Sequence, residues 1–160
     1  MPNINFATVP DMKPFSKWEY RTIPEGWYLA EICDVKPEFQ PSGVEVWVIH
    51  WVVVEGPEKG VGMKDWMHWG DEDDGPKSES ALSRCKLICK VIGIDVSKPG
   101  EVNLQPKNIL GGTAWIKTYQ RSSADGKKIY NNVSLDGLRA ATQAELDKAH
   151  GQEQPAEVPF

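Results

Sequence analysis

A mainly β domain is what this sequence predicts, on three observations. Val44 to Glu55 is a long run rich in β-branched residues, the strongest strand signal in the chain. Ser122-Ser123-Ala124-Asp125-Gly126 places Asp-Gly hairpin chemistry between two alternating segments. A single convincing helix, from about Ser80 to Ile92, repeats apolar residues at i, i+3, i+4 and i+7.

The elements follow in chain order. Residues 1–25 are punctuated by Pro2, Pro10, Pro14 and Pro24 and are expected to form an N-terminal extension packing on the domain. Ile23-Pro24-Glu25-Gly26 reads as a turn launching a first strand, Trp27 to Val35, with Tyr28, Ala30 and Ile32 on one face. Pro37, Pro41, Ser42 and Gly43 make a loop. The second strand, Val44 to Glu55, is apolar on both faces: Val44, Val46, Val48, Val52 and Val54 on one, Trp47, Ile49, Trp51 and Val53 on the other. One face fills a core, and the other calls for further packing or a ligand. Gly56-Pro57-Glu58-Lys59-Gly60 turns into a third strand, Val61 to Trp69. After an acidic loop, Gly70 to Pro76, the helix carries Ala81, Leu82, Cys85, Ile88, Cys89 and Ile92 on its apolar side. Arg84, Lys86 and Lys90 fall on the other side. Ser78 or Ser80 is expected to cap it and Gly93 to end it. Residues 94–112 are a connector too long for a structureless loop, so packing on the domain or a role in assembly is expected. The fourth and fifth strands are Thr113 to Arg121 and Lys127 to Leu135. Ala140 to Ala149 suits a short helix. From Gly151 the composition is Gln, Glu, Pro and Ala, that of a disordered segment.

Five short strands with one helix between strands 3 and 4 is the chain order of a five-stranded OB-like barrel. A generic α+β sheet with one helix is the alternative. The expected division is an extension over 1–25, an OB-fold domain over 26–139 and a flexible acidic C-terminal tail over 140–160.

Composition narrows the function. The 160 residues make one domain. No apolar run reaches the length of a membrane helix, and the N-terminus lacks the pattern of a signal peptide. The three cysteines do not form a disulfide framework. A cytoplasmic protein with no membrane partner is expected. The net charge of −5 argues at first against a nucleic-acid partner. However, Asp71-Glu72-Asp73-Asp74 holds four of those charges and residues 145–160 a net three, which leaves a mildly positive body. The local field governs phosphate binding, not the total.

The fourth strand is the most informative. Trp115, Lys117, Tyr119 and Arg121 alternate and share one face, while Ala114, Ile116 and Thr118 suit a core. Across the hairpin, Lys128, Tyr130 and Asn132 alternate against Ile129, Val133 and Leu135. Cations neutralise phosphates and aromatic faces stack on unpaired bases, so this mixture suits single-stranded nucleic acid. Trp115, Tyr119 and Tyr130 are the expected stacking residues, with Trp47 and Trp66 as further partners. Lys117, Arg121, Lys127, Lys128 and Lys64 are the expected phosphate contacts. The plain alternative is a solvated face whose aromatics support β-structure.

Other chemistry is thinly represented. Residues 71–74 lack the alternate spacing of a calcium loop and read as a solvated loop before a helix. Cys85 and Cys89 lie on the apolar side of the helix, where cysteine is an ordinary core residue. No nucleophile-and-base arrangement or phosphate-cradling glycine loop stands out. Neither a metal, a cofactor nor a catalytic residue is therefore expected. At the C-terminal end, acids precede Val158, Pro159 and Phe160, a compact ligand for a pocket with one basic and one apolar wall.

Several segments together resemble a family of phage proteins long known only as a domain of unknown function. They are Ile23-Pro24-Glu25-Gly26-Trp27-Tyr28, Val53-Val54-Glu55-Gly56-Pro57 with Lys59-Gly60, the helix with Leu82, Cys85, Leu87, Ile92 and Gly93, and Asn108-Ile109-Leu110-Gly111. The resemblance covers about residues 3–137. It implies an OB-fold protein, encoded near phage replication and recombination genes, that binds single-stranded DNA without sequence preference. Separately, Glu157, Val158, Pro159 and Phe160 look like the acidic Pro-Phe tail of bacterial single-stranded-DNA-binding proteins. That likeness implies recruitment of replication and recombination proteins, although acids are fewer here near the end. A homodimer would widen the DNA site. Two rival readings are a protein-interaction module using the same aromatic face, and a metal-dependent nuclease using residues 71–74.

Overall fold

A computed structural model describes residues 3–8, 18–69, 76–100 and 103–151. Five strands carry the fold: β1 (Gly26–Phe39), β2 (Glu45–Val53), β3 (Gly62–His68), β4 (Thr113–Ser122) and β5 (Ile129–Ala140). Helix α1 (Pro76–Val91) and the short α2 (Pro106–Ile109) lie between β3 and β4, and α3 (Gln143–Gly151) follows β5. The chain is mainly β, as expected.

All neighbouring strands are antiparallel, in the order β3-β2-β1-β4-β5. β1 is central and long because it serves two partners. Its first part pairs with β4 (Gly26 to Glu31) and the remainder with β2 (Ala30 to Phe39), with an irregularity between Ile32 and Asp34. Such a bulge bends a strand and increases its twist.

The five strands expected of an OB-like barrel are present, but they do not close into a barrel. β3 and β5 touch, but no ladder joins them, so the sheet is open. Two devices span the opening instead. At one end α1 packs on both β3 and β5. At the other, residues 18–24 cross from β3 to β5. Glu19 bridges Val61 in parallel, its amide donating to the Gly60 carbonyl at 2.7 Å and its carbonyl accepting from the Gly62 amide at 2.9 Å. Further along, the Ile23 amide donates to Asn131 Oδ1 at 3.0 Å, and Asn131 Nδ2 donates to the Arg21 carbonyl at 2.6 Å.

The core lies inside this curled sheet. Ile32, Ile49, Trp51, Val61, Met63, Met67, Ala114 and Ile116 fill it, closed by Ile88 and Cys85 of α1. Of the two apolar faces of β2, the one bearing Trp47, Ile49, Trp51 and Val53 faces this core. The other has a second use: Val52 and Val54 join Leu29 and Trp115 beneath Ala149 of α3. Residues 143–151 of the expected tail are therefore helical, and Ala149 is buried.

Several local expectations are revised. α1 begins at Pro76, a residue suited to a first helical turn, so Ser78 and Ser80 lie within the helix. The connector contains α2, whose Ile109 is buried, and it docks on β1. Gly111 donates to the Ile32 carbonyl at 2.8 Å, and the Ile32 amide donates to the Gly112 carbonyl at the same distance. β5 departs from simple alternation. Ile116 pairs with Leu138 but Thr118 pairs with Val133, so residues 134–137 bulge opposite Lys117. Leu135, expected in the core, is thereby turned out and is 75% exposed. Gly137 permits the close approach, since a Cβ there would meet Lys117 Cβ at 2.6 Å.

Candidate nucleic-acid interface

The opening between β3 and β5 forms a surface groove in two adjoining parts of about 600 and 820 Å³. Lys64, Trp66, Arg121 and Asn132 are common to both parts. The part beside α1 adds Tyr119, Arg84, Leu87 and Leu135. The part beside the 18–24 segment adds Tyr20, Arg21, Lys128, Tyr130 and Asn131.

Strand alternation explains which side chains reach it. On β3, Met63, Asp65 and Met67 are buried, so Lys64 and Trp66 point outward. On β4, Thr118 is buried and Tyr119 and Arg121 point out. Their cross-strand partners on β5 are Asn132 and Tyr130. The aromatic rings are accessible: Trp66 is 43%, Tyr119 38%, Tyr130 50% and Tyr20 63% exposed. Asn132 Nδ2 lies 3.4 Å from Tyr119 Oη and donates to it.

Charge is equally one-sided. Among the described residues, Lys64, Arg121 and Lys128 form no ion pair. Arg21 pairs with Glu19 at 3.3 Å and with Glu58. Among the described residues the lining contains one carboxylate, Asp65, and it is sequestered. Its Oδ2 accepts from Arg84 Nη2 at 2.8 Å and Trp51 Nε1 at 3.2 Å, and its Oδ1 accepts from the Trp66 amide at 2.8 Å. Arg84 also donates to the carbonyls of Trp66 at 3.1 Å and Leu135 at 3.2 Å. Arg84, expected on the side of the helix opposite its apolar stripe, is thus a largely buried tie between α1, β3 and β5.

Behind the groove lies His50, which is buried. Its ring stacks on Trp18 at 4.3 Å, and its Nε2 is 3.3 Å from Tyr20 Oη. Its Nδ1 has no hydrogen-bond partner among the described residues, with Asp34 Oδ2 at 3.9 Å. Burial lowers its pKa and nearby Lys64 lowers it further, against an opposing pull from Asp34. Trp18 in turn sits over Gly62, where any Cβ would meet it at 2.6 Å.

Of the ten residues expected from the sequence, six share this groove: Lys64, Trp66, Tyr119, Arg121, Lys128 and Tyr130. Four do not. Trp47 is buried in the core, edge-on to Trp69 at 4.9 Å, with its Nε1 donating to Glu45 Oε1 at 2.9 Å. Trp115 is half-buried beneath α3 and donates to Glu145 Oε2 at 2.7 Å. Lys117 is exposed but lies beside Trp27, away from the groove. Lys127 is exposed in the β4–β5 turn, where its amide donates to Asp125 Oδ1 at 3.0 Å. The sequence reading missed Tyr20, Arg21, Arg84 and Asn131. The segment Trp18-Glu19-Tyr20-Arg21 mixes aromatics with a cation and held a usable signal, which the surrounding prolines obscured.

Burial pushes the Cys85 thiol pKa up to about 12, far from the range of a reactive thiolate. The acidic run 71–74 and the tail residues Glu157, Val158, Pro159 and Phe160 lie outside the described residues. No protein-family model and no curated protein matches this chain.

Proposed function

We propose that this chain binds single-stranded DNA without sequence preference, in the manner of phage replication and recombination proteins. The observation that carries the reading is the groove, where accessible aromatic rings lie among Lys64, Arg121 and Lys128 and where, among the described residues, those cations form no ion pair and the one carboxylate is tied to Arg84. Rings of this kind stack on any base, and the cations follow the phosphates. A duplex hides its base faces, so it cannot use the rings.

The strand order supports an OB-like fold. β1 is shared between β2 and β4, and the opening falls between β3 and β5. The OB type is itself a five-stranded, partly open barrel whose surface binds oligonucleotides. The resemblance of several segments to phage single-stranded-DNA-binding proteins points the same way. On that reading the last residues, Glu157 to Phe160, recruit partner enzymes.

The deciding experiment titrates the protein with oligo-dT, follows Trp fluorescence at two salt concentrations and uses duplex DNA as control. Quenching by the single strand, little response to duplex and a steep salt dependence are expected. Trp66→Ala and Tyr130→Ala should each weaken binding by about 1–3 kcal/mol. Lys64→Ala should reduce the log–log salt slope by about 0.7 for the one phosphate it contacts. Absence of binding at low salt would overturn the proposal. Binding of a protein partner with little salt dependence would favour an interaction module.

A further inference from the structure

Beyond the groove, β4 continues its outward face through Lys117. In register with Lys117 on β1 is Trp27, 42% exposed. Tyr119, a groove residue, lies on the same face two positions along β4 from Lys117, one residue beyond the last pair of this ladder, Gly26 with Thr118. It is thus placed diagonally to Trp27, and diagonal neighbours in a sheet are separated by about 7–8 Å, a span one nucleotide of extended strand can cover.

Trp27 is held in place. The Arg139 guanidinium carbon lies 5.3 Å from its ring centre and 5.4 Å from that of Trp115. A cation over an indole face fixes the ring and lowers the ordering cost of a further stack. Two of the carboxylates nearby accept hydrogen bonds. Glu25 Oε1 accepts from the Gln120 amide at 3.1 Å. Glu145 accepts from Trp115 at 2.7 Å and from the Thr142 amide at 3.0 Å. Lys117 and Arg139 supply the cations of this face, and the carboxylates keep their charge, Glu145 lying in the field of Arg139. α3 covers Leu29 and Trp115, the next positions along this face, and leaves Trp27 and Lys117 open.

We infer that the single strand leaves the groove at Tyr119 and crosses Lys117 onto Trp27. Trp27 stacks one further base, and Lys117 and Arg139 hold the adjoining phosphates. The inference rests on the proposed function and extends its site around β4.

The test uses the full chain with oligo-dT of about 6 and about 16 nucleotides, lengths that bracket the range for one such fold. Trp27→Ala should weaken binding of the longer oligonucleotide by about 5- to 150-fold, the equivalent of one stacked base. The loss should be several-fold smaller for the shorter one, and Trp27→Phe should restore most of it. Lys117→Glu, a change at an exposed site, should show the same length dependence and guards against a folding defect in Trp27→Ala. Wild-type-like binding of the longer oligonucleotide by both Trp27→Ala and Lys117→Glu would overturn the extension while leaving the groove reading intact. Failure of the unmodified protein to bind either length would remove both.

Discussion

His50 is surrounded by groups that respond differently to its charge: the Trp18 ring, Tyr20, Asp34 and Lys64. Its pKa is lowered in the folded protein, chiefly by burial. The unfolded chain therefore takes up the proton first as pH falls. The stability it contributes is complete above about pH 6.5, the ordinary histidine value, and is lost as pH falls through that value toward the lower folded one. Unfolding midpoints near pH 7.5 and pH 5.5 should show a drop on acidification that His50→Gln flattens. Trp115 makes a different case. Its bond to Glu145 and its place beneath α3 predict a structural role. Trp115→Phe should cost about 1–2 kcal/mol of stability in chemical denaturation, with DNA affinity unchanged. At this scale the sequence was partly legible. Period-two alternation put Tyr119, Arg121, Lys128 and Tyr130 on outward faces, and they share the groove with Lys64 and Trp66. It could not show that a distant helix covers Trp115, because alternation specifies a face and not what lies upon it.

Among the elements, α1 does the most to shape the groove. Arg84 joins it to both edge strands through one carboxylate and two carbonyls. Arg84→Met keeps the packing of the stem but leaves Asp65 buried with only Trp51 and the Trp66 amide as donors. Removing one partner of a buried pair costs about 3–5 kcal/mol. A fall of that size in a urea titration is expected, together with weaker oligo-dT binding as β3 and β5 separate. The strands themselves were readable from β-branched runs and turn residues, because those signals are local. The bulge at 134–137 was not. It depends on Gly137 meeting Lys117 across the ladder, a contact between distant stretches of chain. For the same reason the sequence alone places Arg84 only opposite the apolar side of the helix: it finds its partners only after β3 and β5 have come together.

For the whole molecule, a net charge of −5 coexists with a groove whose exposed charges, among the described residues, are positive. Segregation of this kind allows an acidic protein to attract a polyanion locally. The chain order of strands and helix was legible, but the open seam was not, since it is set by how far β3 and β5 fall short of pairing. The central position of β1 also bears on how the molecule is made. During synthesis β1, β2 and β3 can pair as soon as they emerge, since each is the sequence neighbour of the next. The other edge of β1 must wait for β4: Ala30 finds its partner only when Ala114 has been made. Until then that edge offers unpaired amides and carbonyls to any passing strand. The long interval between the two partners makes the nascent chain most prone to aggregation before its second hairpin leaves the ribosome.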